Sequence, residues 1–384
     1  MNDPREEGKM RRIMNLSSSR FSAAIIVLLG PAIWACAESG QLQRSTPEAE
    51  GIPSQAIVDF LQAADKNVNT FDSFMIVRHG KVIAEGWWKP SSADKAHILN
   101  SVSKSFTSTA VGLAIHEHKL KLEDHVLKFF PGDAPVNPSD NLKAMTVRDL
   151  LTMSSGDAVE PSREGGPSVK QFLAQPVVYT PGTHFLYNTM GTYVLSAIIT
   201  KVTGQTALEY LKPRLFEPLA IQAPRWDSSP EGNSLGGYGL YLRTEDIAKL
   251  GQLYLQKGKW NGKQLIPRKW VEQATSKQIA NENEGHAKIG PDWIEGYGFQ
   301  FWRCRHNAFR ADGAGGQFIV VMPDQDVVVA ITADTGNMQG ELDAIWEHLL
   351  PAFQSKSLPA DASGQERLKE AVAHLVAHPK KSEN

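Results

Sequence analysis

The chain has 384 residues, of which 41% are hydrophobic and 21% charged, with a formal net charge of −2. That is apolar material for one large core or two smaller ones. The near-neutral balance excludes an electrostatic case for nucleic acid or an anionic membrane surface, and no internal repeat or long low-complexity tract interrupts the sequence.

The chain opens on Lys9, Arg11, Arg12 and Arg20, around and before an apolar run over 21–35. The run is short for a membrane span and suits the core of an export signal. Ala35-Cys36-Ala37 fits a small-x-small cleavage site. Residues 1–37 are therefore expected to be a signal peptide and the mature protein periplasmic or secreted. Ile33-Trp34-Ala35-Cys36 also approximates a lipoprotein box, and a lipid on Cys36 is the route by which the protein would meet a membrane. Cys304 is the second of only two cysteines, so no structural disulfide is expected. Arg303 and Arg305 could lower its pKa, yet it follows a strand-like run and reads as a partly buried bystander.

Residues 38–54 are polar, contain Pro47 and read as a flexible lead. An amphipathic helix is expected over 57–64. Strand-like runs at 74–77 and 81–85 flank Arg78-His79-Gly80, a hairpin signal. Then comes Leu99-Asn100-Ser101-Val102-Ser103-Lys104-Ser105-Phe106, where Val102, Phe106, Ala110 and Leu113 recur at helical spacing. Residues three apart share a helix face, so Ser101 Oγ and Lys104 Nζ can meet. The first turn of a helix favours developing negative charge. A lysine packed on an apolar helix is desolvated toward its neutral form. Together these make an activated serine; the plain alternative is a helix N-cap at Ser101. A second Ser-x-x-Lys, Ser92 to Lys95, precedes no apolar helix and reads as coincidence.

His116-Glu117-His118 imitates metal spacing, but two residues of separation point the imidazoles to different sides of a helix, and solvated helix-end residues are the better reading. A turn and short helix follow at 121–130, and a capped helix over 146–153. Residues 157–168, rich in Gly, Pro and charge, form a loop of the kind that sets substrate choice. Further helices are expected over 185–203, 208–219, 244–256 (with Thr244 as N-cap), 267–275 and 341–350. Strands are expected at 298–302, 309–312, 317–322 and 327–333. After Pro351 the tail is polar, with one amphipathic stretch near 366–376 and partial disorder expected.

Strands thus lie near both ends of the chain and helices fill the middle. The economical fold is α/β (α+β): a mostly antiparallel sheet from 55–119 and 290–353, covered by the first and last helices, with a helical insertion subdomain over 120–289 and a polar tail over 354–384. The site is expected in the cleft between the halves.

Three motifs in order carry a resemblance. After Ser101-x-x-Lys104 comes Phe185-Leu186-Tyr187-Asn188-Thr189, a Tyr-x-Asn position with Thr189 in the third place. Then comes Ala311-Asp312-Gly313, followed by Ala314-Gly315-Gly316-Gln317. The chain resembles the serine β-lactamase and penicillin-binding-protein superfamily, in the branch of class C β-lactamases, D-alanyl-D-alanine carboxypeptidases and related esterases, over residues 55–353. The stretches Gly236-Gly237-Tyr238-Gly239-Leu240 and Thr244-Glu245-Asp246-Ile247-Ala248 resemble architectural segments of that branch. The resemblance implies a β-lactamase/transpeptidase-like fold, acyl transfer through Ser101 and a base role shared by Lys104 and Tyr187. It also implies an oxyanion hole from the N–H groups of Ser101 and Ala314, and substrate contacts at Thr189, Asp312 and Gly313. No metal or organic cofactor is needed, and the partner is a small-molecule ester or amide. The family's Lys-Thr-Gly is here Ala311-Asp312-Gly313. Its carboxylate grip is gone, and an aspartate would repel a carboxylate. Esters or small amides are therefore expected ahead of the alternative, a β-lactamase or D-Ala-D-Ala carboxypeptidase. A binding or sensor domain without turnover is the alternative of another class.

Overall fold

The computed structural model describes residues 40–377 except 69–70, 163 and 283–284; the proposed signal peptide and Cys36 lie outside the described residues. A short strand β1 (Gln43–Arg44) precedes helix α1 (Ser54–Asn67) and the strands β2 (Phe71–Arg78) and β3 (Lys81–Trp87). The β2–β3 turn uses His79 and Gly80, both at positive φ (50° and 75°), which matches the twist of a tight hairpin. Strand β4 (His97–Ile98) leads through a 3-10 turn, Asn100–Val102, into α2 (Ser103–His116).

The middle of the chain runs α3 (Asp140–Ala144), α4 (Val147–Leu151), α5 (Val169–Leu173), α6 (Thr189–Thr203), α7 (Ala207–Leu211), β5 (Arg225–Trp226) and β6 (Leu240–Leu242). It continues with α8 (Thr244–Leu255), the small hairpin β7 (Lys259–Trp260) and β8 (Lys263–Gln264), and α9 (Arg268–Ala274). The chain returns to the main sheet as β9 (Trp302–Arg303), β10 (Phe309–Gly313), β11 (Gln317–Met322) and β12 (Val327–Ala333), followed by α10 (Met338–Ala344) and α11 (Ala362–Ala377).

The seven-stranded sheet has the order β1-β3-β2-β12-β11-β10-β9. The two ends of the chain meet where β12 pairs antiparallel with β2, from Val327 opposite Arg78 to Ala333 opposite Phe71. All pairs are antiparallel except β1 with β3. Alternate residues face alternate cores. Phe74, Ile76, Val329 and Ile331 join α1 and α10 on one side. Met75, Val77, Val328 and Ala330 join α2 and α8 on the other. With both faces covered, β12 is buried along its whole length, and its run of Val, Ala, Ile and Thr is apolar nearly throughout.

Several expectations need correction. The lead is not flexible throughout: β1 extends the sheet, Ile52 is buried, and Glu50 ties Lys81, His79 and Ser45 together. Its polar side chains are structural partners, which composition does not distinguish from solvated ones. The polar tail carries α11, which packs on α1 and β3 through Leu368. The helical half is not contiguous, because α8 covers the main sheet against β2, β11 and β12. Its N-cap is Arg243, whose N–H reaches Asp246, while Thr244 Oγ1 is taken by Ser73 Oγ at 2.6 Å. The strand expected at 298–302 shrinks to Trp302–Arg303.

Candidate active site

The site is organised by α2, whose residues 103–114 are all buried. A buried helix containing five hydroxyl residues is tolerable only if those hydroxyls are bonded. Ser103 Oγ accepts the N–H of Leu240, Ser105 Oγ donates to Gln300 O, Thr107 Oγ1 to Gly236 O and Ser108 Oγ to Phe299 O. Thr109 Oγ1 meets the Tyr254 hydroxyl. The small polar residues between the apolar ones thus tie α2 to the surrounding loops, and they fix the turn before it. Asn100 takes φ 46°, a left-handed conformation that Asn tolerates. Its Nδ2 donates to Ala314 O at 2.7 Å.

Ser101 therefore sits on a 3-10 turn just ahead of the α-helix, half-buried, with Lys104 one turn on. Lys104 is 1% exposed. Its Nζ lies 2.8 Å from Ser101 Oγ, 2.9 Å from Gly237 O and 3.3 Å from Thr189 Oγ1. Gly237, assigned above to architecture, is thus a direct partner of the lysine. A Cβ there would crowd Thr189 Cγ2 at 2.7 Å, so only glycine lets its carbonyl come this close.

Tyr187 arrives from the opposite side, just before α6. Asn188 caps that helix, accepting from Gly191 N–H at 3.0 Å, and donates to Asp157 at 2.8 Å. Leu186 N–H donates to Met153 O. These bonds hold the irregular start after Pro181-Gly182. The Tyr187 ring stacks on Trp302 and lies 4.9 Å from Lys104 Nζ, and its hydroxyl is in hydrogen-bonding reach of Ser101. Burial, then the charge of Asp312, pushes the phenol far above its usual range despite the bond to Ser101. Tyr187 accordingly stays protonated. The expected helix over 185–203 begins only at Thr189. That shorter helix frees Tyr187 to face the serine.

The hairpin of β10 and β11 closes the site. Gly313 abuts Leu99 O, and a Cβ would overlap it. Ala314 follows in the turn, beside Asn100, and no backbone hydrogen bond among the described residues engages its N–H. Ser101 N–H heads a helical turn and is likewise without an intrahelical partner. Ala314 and Asn100, the residue before Ser101, line a cavity of about 480 Å³ together with Asp72 and Asp334. Asp312 does not face that cavity as expected for a substrate contact. It is 8% exposed and accepts from Arg310 Nε at 2.9 Å. Its place in the strand's alternation turns it inward. Burial raises its carboxyl and Arg310 opposes the rise.

Thr189 is 5% exposed, and its N–H donates to Glu160 Oε1 at 3.0 Å. Glu160, from the loop expected to set substrate choice, was not legible as a site residue. The loop composition was the signal, but no periodicity points a coil residue anywhere. Cys304 is buried against Arg310, and burial pushes its thiol up to about 11. The flanking arginines do not activate it. Arg305 is taken by Asp292 and Asp343, and Arg303 donates to Thr275 O and Asn307. Glu117 of the His-Glu-His stretch pairs with Arg214 at 2.6 Å. Among the described residues no group of three or more potential ligands could hold a metal.

The profile of the Beta-lactamase family matches residues 65–351. The chain is 26% identical over 281 residues to the 6-aminohexanoate-dimer hydrolase of Paenarthrobacter ureafaciens, covering 67% of this chain and 71% of that protein. It is 24% identical over 168 residues to the lovastatin esterase of Penicillium rubens, covering 37% and 42%. A penicillin-binding protein homologue from Pyrococcus abyssi shares the fold with a TM-score of 0.59 at 20% identity, over 79% of each chain.

Proposed function

This chain belongs to the beta-lactamase family and is a serine hydrolase of it; we propose that it cleaves esters or small amides through an acyl-enzyme on Ser101. The observation that carries the reading is Lys104 Nζ at 2.8 Å from Ser101 Oγ, with the Tyr187 hydroxyl at the same oxygen. A neutral amine has two donors and one lone pair. Lys104 Nζ donates to Ser101 Oγ, Gly237 O and Thr189 Oγ1 in its charged form; once the amine is neutral, Gly237 O and Thr189 Oγ1 can keep its two donors and the lone pair can meet the Ser101 hydroxyl. Lys104 then accepts the serine proton as Oγ attacks the carbonyl carbon. The N–H groups of Ser101 and Ala314 hold the oxyanion, where loss of one donor typically costs about 2.7–4 kcal/mol. Tyr187, protonated, supplies the proton to the leaving alkoxide or amine. Water then attacks the acyl-enzyme with the same groups acting in reverse.

The names of the relatives, an amide hydrolase and an esterase, support this substrate range. The inward-facing Asp312 and the absence of lysine and threonine at 311–312 speak against efficient β-lactam turnover. The basic and apolar start of the sequence supports export. In the test, Ser101→Ala abolishes hydrolysis of p-nitrophenyl butyrate, and mass spectrometry of the native protein finds an acyl adduct on the Ser101 peptide. Undiminished turnover by the variant would end the reading.

A further inference from the structure

The serine's surroundings distribute charge unevenly. Arg310, on the strand that would carry a carboxylate grip, is fully buried and donates to Asp292 O, Cys304 Sγ and Asp312. Lys104 is committed to Ser101, Thr189 and Gly237. Neither basic side chain is available to an incoming anion.

Glu160 is the opposite case. It is exposed, yet it is held in place by the Thr189 N–H on Oε1. Through Thr189 it stands two contacts from Lys104, and its charge is felt at Tyr187. Among the described residues Oε2 accepts no hydrogen bond and remains available. A carboxylate fixed by one oxygen on an exposed side chain, against a threonine that itself touches Lys104, is a ready receptor for a cation. The cavity beside Ala314 carries the same sign, with Asp72 and Asp334 in its lining and no lysine or arginine there.

We propose that Glu160 is a specificity-determining residue that binds a cationic group of the substrate, so that the preferred substrates are esters or amides carrying an ammonium. The proposal rests on the hydrolase reading above and narrows it. Binding is electrostatic, with no bond made or broken at Glu160.

The test uses two p-nitrophenyl esters of equal length. One is of a trimethylammonio-alkanoic acid; the other is its carbon isostere, with tert-butyl in place of trimethylammonium. The readout is the ratio of their kcat/KM values. The native protein is expected to favour the cationic ester by about tenfold, and Glu160→Gln, which keeps an acceptor for the Thr189 N–H, to erase most of that preference. Glu160→Asp should restore part of it. If a variant fails to fold, the salt dependence of the native ratio carries the test, since the preference must shrink as ionic strength rises. A native ratio near one, or a preference unchanged in Glu160→Gln or by salt, overturns the proposal while Ser101-dependent hydrolysis of the neutral ester leaves the hydrolase reading standing. No hydrolysis of either ester overturns both.

Discussion

Ser101, Lys104 and Tyr187 meet in the candidate site, and the role proposed for each follows from what else it touches. Lys104 Nζ reaches Gly237 O and Thr189 Oγ1 as well as Ser101 Oγ, so as a neutral amine it can turn its lone pair to the serine. Tyr187 is kept as a phenol first by burial and then by Asp312. It gives a proton more readily than it takes one. Tyr187→Phe keeps the ring on Trp302 and removes only that proton. The expected result is a fall in kcat for p-nitrophenyl butyrate of roughly 10²–10⁴ with KM little changed, the range typical of general acid–base groups. A loss below tenfold in steady-state assays would move the donor role elsewhere. The serine-lysine pair was legible in the sequence because helical spacing is a local property. Gly237 and Glu160 were not, because their contacts join segments far apart in the chain.

At the scale of elements, α2 and the lead segment each carry a prediction. Gly112 lies inside α2, where alanine would normally stabilise a helix by up to about 1 kcal/mol. Here a Cβ would run into the Trp270 indole of α9. Overpacking of this kind typically costs about 1–3 kcal/mol, so Gly112→Ala is expected to lower Tm; a raised Tm would show that Trp270 moves freely.

The lead segment is tied to the β2–β3 hairpin by Glu50. Burial opposes its charge, but hydrogen bonds from Lys81, His79 and Ser45 outweigh that and hold its carboxyl at about 2 instead of 4.5. A depressed carboxylate contributes stability above its unfolded pKa and loses it as pH falls toward the folded value. The loss is therefore expected between about pH 4.5 and 2. Lys81 and His79 are more than 40% exposed, so screening limits the contribution to about 1 kcal/mol or less. Urea midpoints of native and Glu50→Gln protein should converge across that window, and parallel curves would refute the linkage.

For the whole molecule, the sheet depends on covering both faces. Among the described residues α11 closes part of one face, where Leu368 joins α1 and β3, and Arg78 ties Gln354 O to the sheet while its guanidinium lies over Phe353. Removing residues 354–384 uncovers this apolar surface, at about 25 cal/mol per Å². The truncated protein is expected to unfold at lower temperature while its KM for p-nitrophenyl butyrate is retained, because α11 packs on α1 and β3 and not on the elements that carry Ser101, Lys104 and Tyr187. Loss of hydrolysis in a truncated protein that still unfolds cooperatively would contradict this layering.

The sequence alone determined the elements whose signal is local and periodic. Strands β11 and β12 fall where alternating and branched residues put them, and so does the hairpin at His79-Gly80. The order of the three motifs identified the fold, since that order is preserved without any knowledge of contacts. The tertiary structure alone decided which polar residues are structural. Composition makes the lead flexible and the tail polar without showing that Glu50 ties the hairpin or that the amphipathic stretch of α11 docks on the sheet, because a charged side chain looks the same in sequence whether water or a partner surrounds it. The tertiary structure also decided which way Asp312 faces and that Glu160 reaches Thr189. Direction along a short strand and the path of a coil are set by packing against distant segments, a quantity with no period to read.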